Sequence, residues 1–346
     1  MARSEPRCVL VTRFSALGDV MMALPVLYDT CRAHPDVHFV LVSRPWAVSL
    51  AQCLPPNLTV EPVDLKGDYS GVGGMLRLAR EMRRKHDVDA LADLHSVMRT
   101  WVLGAALRLH GVAVRRIDKG RRDKRALVTG KRMGPLTHTT ERYRTVFAAL
   151  GLDSQAAFTT LFDHGLPPCT LAGEKPEGHR WIAVAPFAAY EGKVYPPERM
   201  RQVVDRLAAD PSTQIFLLGG GDREKEILAS WASDLDNVTS VAAIDHTFAD
   251  ELALVARCDV MVSMDSAHMH LASLVDVPVV SVWGSTHPAC GFMGYRQSDD
   301  NAVQLPLDCR PCSVFGNKPC RLGDRRCLTG ITPEMIVNKV NQLTHH

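Results

Sequence analysis

The stretch Val255–Thr286, VARCDVMVSMDSAHMHLASLVDVPVVSVWGST, decides the fold. Val260–Ser263 is an apolar run that ends at a polar turn, Met264-Asp265-Ser266-Ala267. A helical stretch, His268–Leu274, follows. A second apolar run, Val279–Val282, then ends at Gly284-Ser285-Thr286. Short apolar runs bounded by turn residues read as buried strands, and a helix joining two of them makes a parallel βαβ unit. The polar residues fall where the strands end, and ligands bind at that edge of an open parallel sheet. Small hydroxyl residues at a helix N-terminus, backed by backbone N–H groups, suit a phosphate. The segment therefore points to a nucleotide or nucleotide-sugar site.

The start of the chain repeats this logic. Cys8–Thr12 is a short apolar strand, Arg13–Asp19 (RFSALGD) a loop, and Val20 opens a helix. Gly18 is expected to supply a backbone conformation that other residues resist. The loop is neither GxGxxG nor a P-loop. Asp19, at the helix start, would repel a phosphate, so chemistry on a hydroxyl is the better use for its carboxylate.

At 346 residues the chain is long for one core, which predicts two domains. The net charge of +2 gives no global drive toward nucleic acid. Lys119–Arg132 (KGRRDKRALVTGKR) is locally very basic and reads as a loop, either solvated or suited to anionic lipid head groups. No apolar run has the length of a signal peptide or a bilayer span, so a cytoplasmic protein is expected. The ten cysteines are scattered, with Cys8, Cys31 and Cys258 on apolar elements, which fits a reduced setting. The chain closes with Thr344-His345-His346, natural or left from a tag.

Strands alternate with helices in both halves. In the first, strands are predicted at 8–12, 37–42, 59–63 and 88–93, with helices at 20–31, 74–85, 100–109 and 140–150. In the second, strands are predicted at 181–185, 214–218, 260–263 and 279–282. Helices are predicted there at 197–208, 224–231, 248–257 and 268–274, with a last one at 331–343. The Pro- and Gly-rich 166–178 reads as a linker. The predicted organisation is a domain over 1–165, the linker, a second domain over 179–330 and a final helical segment, 331–346. Two α/β halves with a cleft between them are the most economical architecture.

Several segments, in order, resemble glycosyltransferase family 9, the lipopolysaccharide heptosyltransferases. They are RFSALGDVMMALPVL from Arg13, DLHSVMRT from Asp93, HTTERYR from His138 and PFAAYEGKVYPPERM from Pro186. GGGDREKE from Gly219, MDSAHMHLAS from Met264 and PVVSVWGST from Pro278 complete the set. The resemblance implies a GT-B fold, two Rossmann-like domains, with the acceptor bound by the first and the nucleotide sugar by the second. It implies inverting transfer of heptose from ADP-heptose to an anionic lipopolysaccharide core, at or near the cytoplasmic face of the inner membrane. It also implies a last helix that crosses back onto the first domain.

Residue by residue, the resemblance makes Asp19 the general base, with a helix cap as the plain alternative. It makes Lys193 the cation that meets the donor diphosphate. Asp265, Ser266, Ala267 and His270 match the donor signature, and Glu224 matches an acidic residue on the ribose, with Glu226 close by. Arg13, Ser15, Asp93, His95, Arg99 and Arg142 fall on the acceptor side. The chain departs from the family at Ala267, where glycine is usual, and at Tyr195, where tryptophan is usual. Ala267 keeps a different nucleotide-sugar donor, or a capsule or other glycan acceptor, open as an alternative. A nonenzymatic nucleotide-sugar-binding protein is a third reading, opposed by the coincidence of Asp19 and Lys193. No metal is required of the reaction. Cys309, Cys312, Cys320 and Cys327 could build a tetrahedral zinc site, but the second pair lacks zinc-ribbon spacing, which favours free thiols packing a loop.

Overall fold

The computed structural model describes residues 5–344; His345 and His346 lie outside the described residues. In chain order the elements are β1 (Cys8–Thr12), α1 (Leu17–Ala33), β2 (His38–Ser43), α2 (Ala47–Leu50), β3 (Leu58–Pro62) and α3 (Gly71–His86). Next come β4 (Ala90–Asp93), α4 (Met98–Arg108), β5 (Ala113–Arg116), α5 (Arg121–Val128) and α6 (Thr139–Ala148). The second half contains β6 (Arg180–Ala185), α7 (Pro197–Ala208), β7 (Thr213–Leu217), α8 (Asp222–Ala232), β8 (Val238–Ser240) and α9 (Phe248–Val255). It ends with β9 (Val260–Met264), α10 (Ala267–Leu274), β10 (Val279–Val282), β11 (Ala302–Val303), α11 (Arg326–Thr329) and α12 (Pro333–Thr344).

The strands form two sheets, ordered β3-β2-β1-β4-β5 and β11-β10-β9-β6-β7-β8. Every pairing in both is parallel. This is the Rossmann-like α/β architecture that the apolar runs predict, because strands covered on both faces need no polar alternation. In the first sheet Leu10, Val40, Val42 and Leu91 pack with Met75, Leu78, Ala79 and Met82 of α3. Those four recur at helical spacing, opposite a face carrying Arg77, Arg80, Arg83 and Arg84. In the second sheet Ile182, Val184, Ile215, Val262 and Val280 pack with Met200, Val203, Val204 and Leu207 of α7.

The chain divides into two compact units. One reaches Lys119 and resumes over Thr139–Leu161; the other takes Gly120–His138 and everything from Phe162 onward. This differs from a boundary at 165. The basic segment expected as a loop contains α5, entered through a left-handed Gly120 (φ 58°). Its Leu127 is buried with Leu136 and Cys290, and the Lys124 ammonium lies 4.2 Å from the centre of the Phe292 ring. Cys290 and Phe292 are far away in sequence, so periodicity could not reveal them. The 166–178 stretch carries no helix or strand. Thr170 bonds Asp250, and Lys175 pairs with Asp259 at 2.5 Å, which ties it to the second unit. The last helix packs within the second unit. Ile336 and Val340 of α12 are fully buried in that unit's core. No helix among the described residues is long and apolar enough to cross a membrane.

Candidate functional site

In each sheet the strand order reverses beside the first strand of its unit, and the loops after the two strands at that point diverge to leave a crevice. In the first unit the reversal lies between β1 and β4, where Thr12 stands opposite Asp93. The loops carrying Arg13–Ala16 and Leu94–Val97 meet there. Arg13 is buried; its Nη1 donates to the Leu94 carbonyl at 2.7 Å, and its Nη2 is ion-paired with Asp19. Asp19 sits in the first turn of α1 and accepts the Ala16 N–H at 3.1 Å. It therefore fulfils the cap reading while remaining at the crevice. Gly18 lies inside α1 rather than in the loop, so its conformational freedom is not what the turn uses.

His95 reaches the β1 loop. Its Nδ1 accepts the Phe14 N–H at 3.4 Å, which leaves the ring proton on Nε2, 3.4 Å from Ser15 Oγ. Burial, with Arg13 nearby, pushes its pKa down to about 3, so it is neutral at working pH. Ser15, His95 and Arg99 line one cavity of about 790 Å³ together with Arg44, Trp46 and Lys66. The last three lie in loops after β2 and β3, on the same sheet edge, and their identities alone gave no signal. Asp93 is fully buried, and its Oδ1 accepts the N–H groups of His95 and Ser96, which holds the turn. Arg142 is placed elsewhere in the unit, its Nη1 bonded to the Asp118 carbonyl.

In the second unit the reversal lies between β6 and β9, where Ala185 stands opposite Ser263. Lys193, in the loop after β6, puts its ammonium 2.8 Å from Asp265 Oδ2, after β9. Both side chains are largely buried, at 17% and 5% exposure, yet Oδ2 has no partner in hydrogen-bond geometry. The ammonium is thus held by charge alone and retains donors for an incoming anion. Ser266 heads α10 without capping it, since its hydroxyl lies 3.1 Å from Ser263 Oγ. The helix N-terminus, with Ala267 first, faces the same turn. His270 is buried one helical turn on. Glu224 accepts the Gly220 N–H at 2.8 Å and lines a cavity of about 510 Å³ with Glu191 and Arg223. Glu226 is exposed and does not line it, which separates the two acids.

Three residues with no role assigned from sequence hold the Lys193 loop. The Gly192 carbonyl accepts both the N–H and the hydroxyl of Ser285, each at 2.9 Å. A Cβ on Gly192 would lie 2.6 Å from Ser285 Oγ and 2.7 Å from the Gly316 carbonyl. A Cβ on Gly316 would in turn meet the Lys193 side chain at 2.6 Å. Gly192→Ala is therefore expected to cost about 1–3 kcal/mol of stability through overpacking, and to weaken ADP binding as Lys193 is displaced. Thermal unfolding and ADP titration of the variant check this. Unchanged ADP affinity would show that this packing does not set the lysine.

Cys309, Cys312, Cys320 and Cys327 all line one cavity of about 290 Å³ beside Glu191 and Gly192. All four are free thiols, and burial raises the pKa of Cys312 and Cys327. Among the described residues no group of three or more His, Cys, Asp or Glu side chains is arranged to hold a metal.

Comparison with known proteins places this geometry. The model of glycosyltransferase family 9 (heptosyltransferase) matches residues 77–321. Lipopolysaccharide heptosyltransferase 1 of Pseudomonas aeruginosa is 26% identical over 312 residues, covering 88% of this chain and 85% of its own. Among solved structures, the glycosyl transferase family 9 protein of Veillonella parvula superposes with a TM-score of 0.73 at 19% identity, covering 97% of both chains. The Escherichia coli heptosyltransferase WaaC with ADP superposes at 0.69 and 21% identity, over 97% of this chain and all of that one. The fold is therefore the GT-B fold of those enzymes.

Proposed function

The chain belongs to glycosyltransferase family 9 and is a glycosyltransferase, and from that premise we propose that it moves a heptose from ADP-heptose to an anionic lipopolysaccharide core acceptor, inverting the anomeric carbon. The observation that carries this reading is the Lys193–Asp265 pair beside the uncapped start of α10, a cation and a helix N-terminus at one sheet switch point. That combination suits the diphosphate of a nucleotide sugar. The heptosyltransferase relative supports the choice of sugar and acceptor.

In this reading the second unit binds the donor and the first binds the acceptor. The acceptor hydroxyl attacks the anomeric carbon as Asp19 takes its proton, and the bond to the ADP oxygen breaks. Charge gathers on the departing diphosphate, where Lys193, Ser266 and the N–H groups at Ala267 stabilise it. Asp265 orients the lysine, Glu224 meets the ribose, and His270 supports the donor turn. Arg13 holds Asp19 in place. Ser15 and His95 offer neutral hydrogen bonds to the acceptor, while Arg44, Lys66 and Arg99 supply positive charge for its acidic groups. The enzyme works in the cytoplasm, where ADP-heptose and the inner leaflet meet.

The lysine and the helix N-terminus neutralise the leaving group, so no divalent metal is needed. The test is transfer by the purified chain from ADP-heptose to a lipid A–Kdo acceptor, read as ADP release and acceptor mass. Full activity is expected after exhaustive EDTA treatment. Loss that magnesium alone restores would refute the charge argument. Transfer from a different nucleotide sugar, and none from ADP-heptose, would refute the donor.

A further inference from the structure

The whole protein carries a formal charge of only +2, yet the surface around α5 is strongly cationic. Arg121, Arg122, Arg125, Lys131 and Arg132 are all exposed within twelve residues. Arg132 pairs with Asp123 at 3.4 Å. No ion pair engages Arg121, Arg122, Arg125 or Lys131 among the described residues. The inward side of the helix is fixed by Leu127 against Leu136 and Cys290. Two large apolar side chains stand out alongside: Met133 at 87% exposure and Phe315 at 50%. Phe315 is tied to this face because the Lys124 ammonium lies 6.0 Å from its ring centre and 4.2 Å from that of Phe292.

A fold does not leave four like charges unpaired on one helix and its following turn for stability, since they repel. Exposed cations interleaved with apolar tips suit a surface that is anionic outside and greasy beneath, which is the leaflet of a bilayer. Nucleic acid fits less well, because Phe315 packs on the part-buried Phe292 and no further ring pairs with it among the described residues, which leaves no row on which successive bases could stack.

We propose that α5 and the turn after it form a docking surface for an anionic lipid bilayer. The proposal rests on the reading of the acceptor as a glycolipid, and it adds where the protein meets the membrane. That surface belongs to the donor-binding unit: Phe315 is followed by Gly316, whose Cα backs the Lys193 side chain. A bilayer held there would bring the acceptor's own membrane to the donor loop.

The experiment uses the full chain with vesicles of phosphatidylcholine alone or with phosphatidylglycerol added, and with no nucleotide sugar or acceptor present. Binding is expected only to the anionic vesicles and is expected to weaken with salt. The triple variant Arg121→Gln, Arg122→Gln, Arg125→Gln should lose vesicle affinity on the order of a hundredfold. Its ADP affinity and its transfer rate to a deacylated, water-soluble acceptor should match those of the unmodified chain. Those two controls show that the variant folds and test the catalytic reading separately. Equal binding to both vesicle types, or an unimpaired triple variant, would overturn the proposal. So would tight binding to duplex DNA or RNA with none to vesicles.

Discussion

Replacing Asp19 by asparagine is expected to lower turnover about 100- to 10,000-fold, the usual size of a general-base contribution, while leaving ADP affinity unchanged. In the proposed reaction Asp19 has two jobs in one carboxylate. It accepts the Ala16 N–H at 3.1 Å, which closes the first turn of α1, and it faces the crevice ion-paired with Arg13. Asparagine keeps an oxygen for the cap but cannot take a proton. Alanine removes both, and is expected to cost a further 0.5–2 kcal/mol or so of stability through the lost cap. Steady-state turnover, ADP titration and thermal unfolding of the pair therefore separate chemistry from structure. If Asp19→Asn retains turnover within about tenfold, below the usual range for a general base, the base lies elsewhere.

Replacing Lys193 by methionine is expected to weaken ADP binding and turnover together, with turnover falling by about 100- to 1,000-fold. In the proposed reaction the same ammonium meets the diphosphate before and during bond cleavage, so it acts in both the ground and the transition state. The variant carries a second penalty, because Asp265 is left charged and 95% buried without its partner. Breaking such a pair by removing one member costs about 3–5 kcal/mol. The double variant Lys193→Met, Asp265→Asn removes that penalty and should recover stability without recovering ADP affinity. Calorimetric titration of both variants decides the point: ADP binding as tight as in the unmodified chain would mean that Lys193 does not touch the diphosphate.

The fold was legible wherever burial is continuous along the chain. β1, β6, β9 and β10 are buried over all or nearly all of their length and mostly apolar because their sheets cover them on both faces, and all four appear as runs. Of the four edge strands, β3 was legible and β5, β8 and β11 were not. β5 reads Ala-Val-Arg-Arg, and its strand state comes from pairing with β4, where Arg116 also reaches Asp93 at 3.4 Å. β8 and β11 have three and two residues, too few for a pattern. The placement of Asp19, Lys193 and Asp265 was legible because each follows a predicted strand at the sheet edge where ligands bind in such folds. Asp93 follows the same rule, with its Oδ1 turned back onto its own turn: position at a strand end cannot tell that orientation from one aimed at a crevice.

The sequence by itself determined two parallel α/β units, their strand-end loops and the carboxylate and ammonium placed on them, because those depend on local runs and on neighbours within a few residues. The tertiary structure alone decided which distant groups meet. It drew Lys193 onto Asp265 across 72 positions, set Ser285 and Gly316 around Gly192, and gathered Arg44, Trp46 and Lys66 beside His95. It also turned a basic loop into α5 and assigned it to the second unit, and it buried α12 there. Each of these rests on packing between segments far apart in the chain, and close packing selects partners by shape in three dimensions, which no periodicity along the chain records.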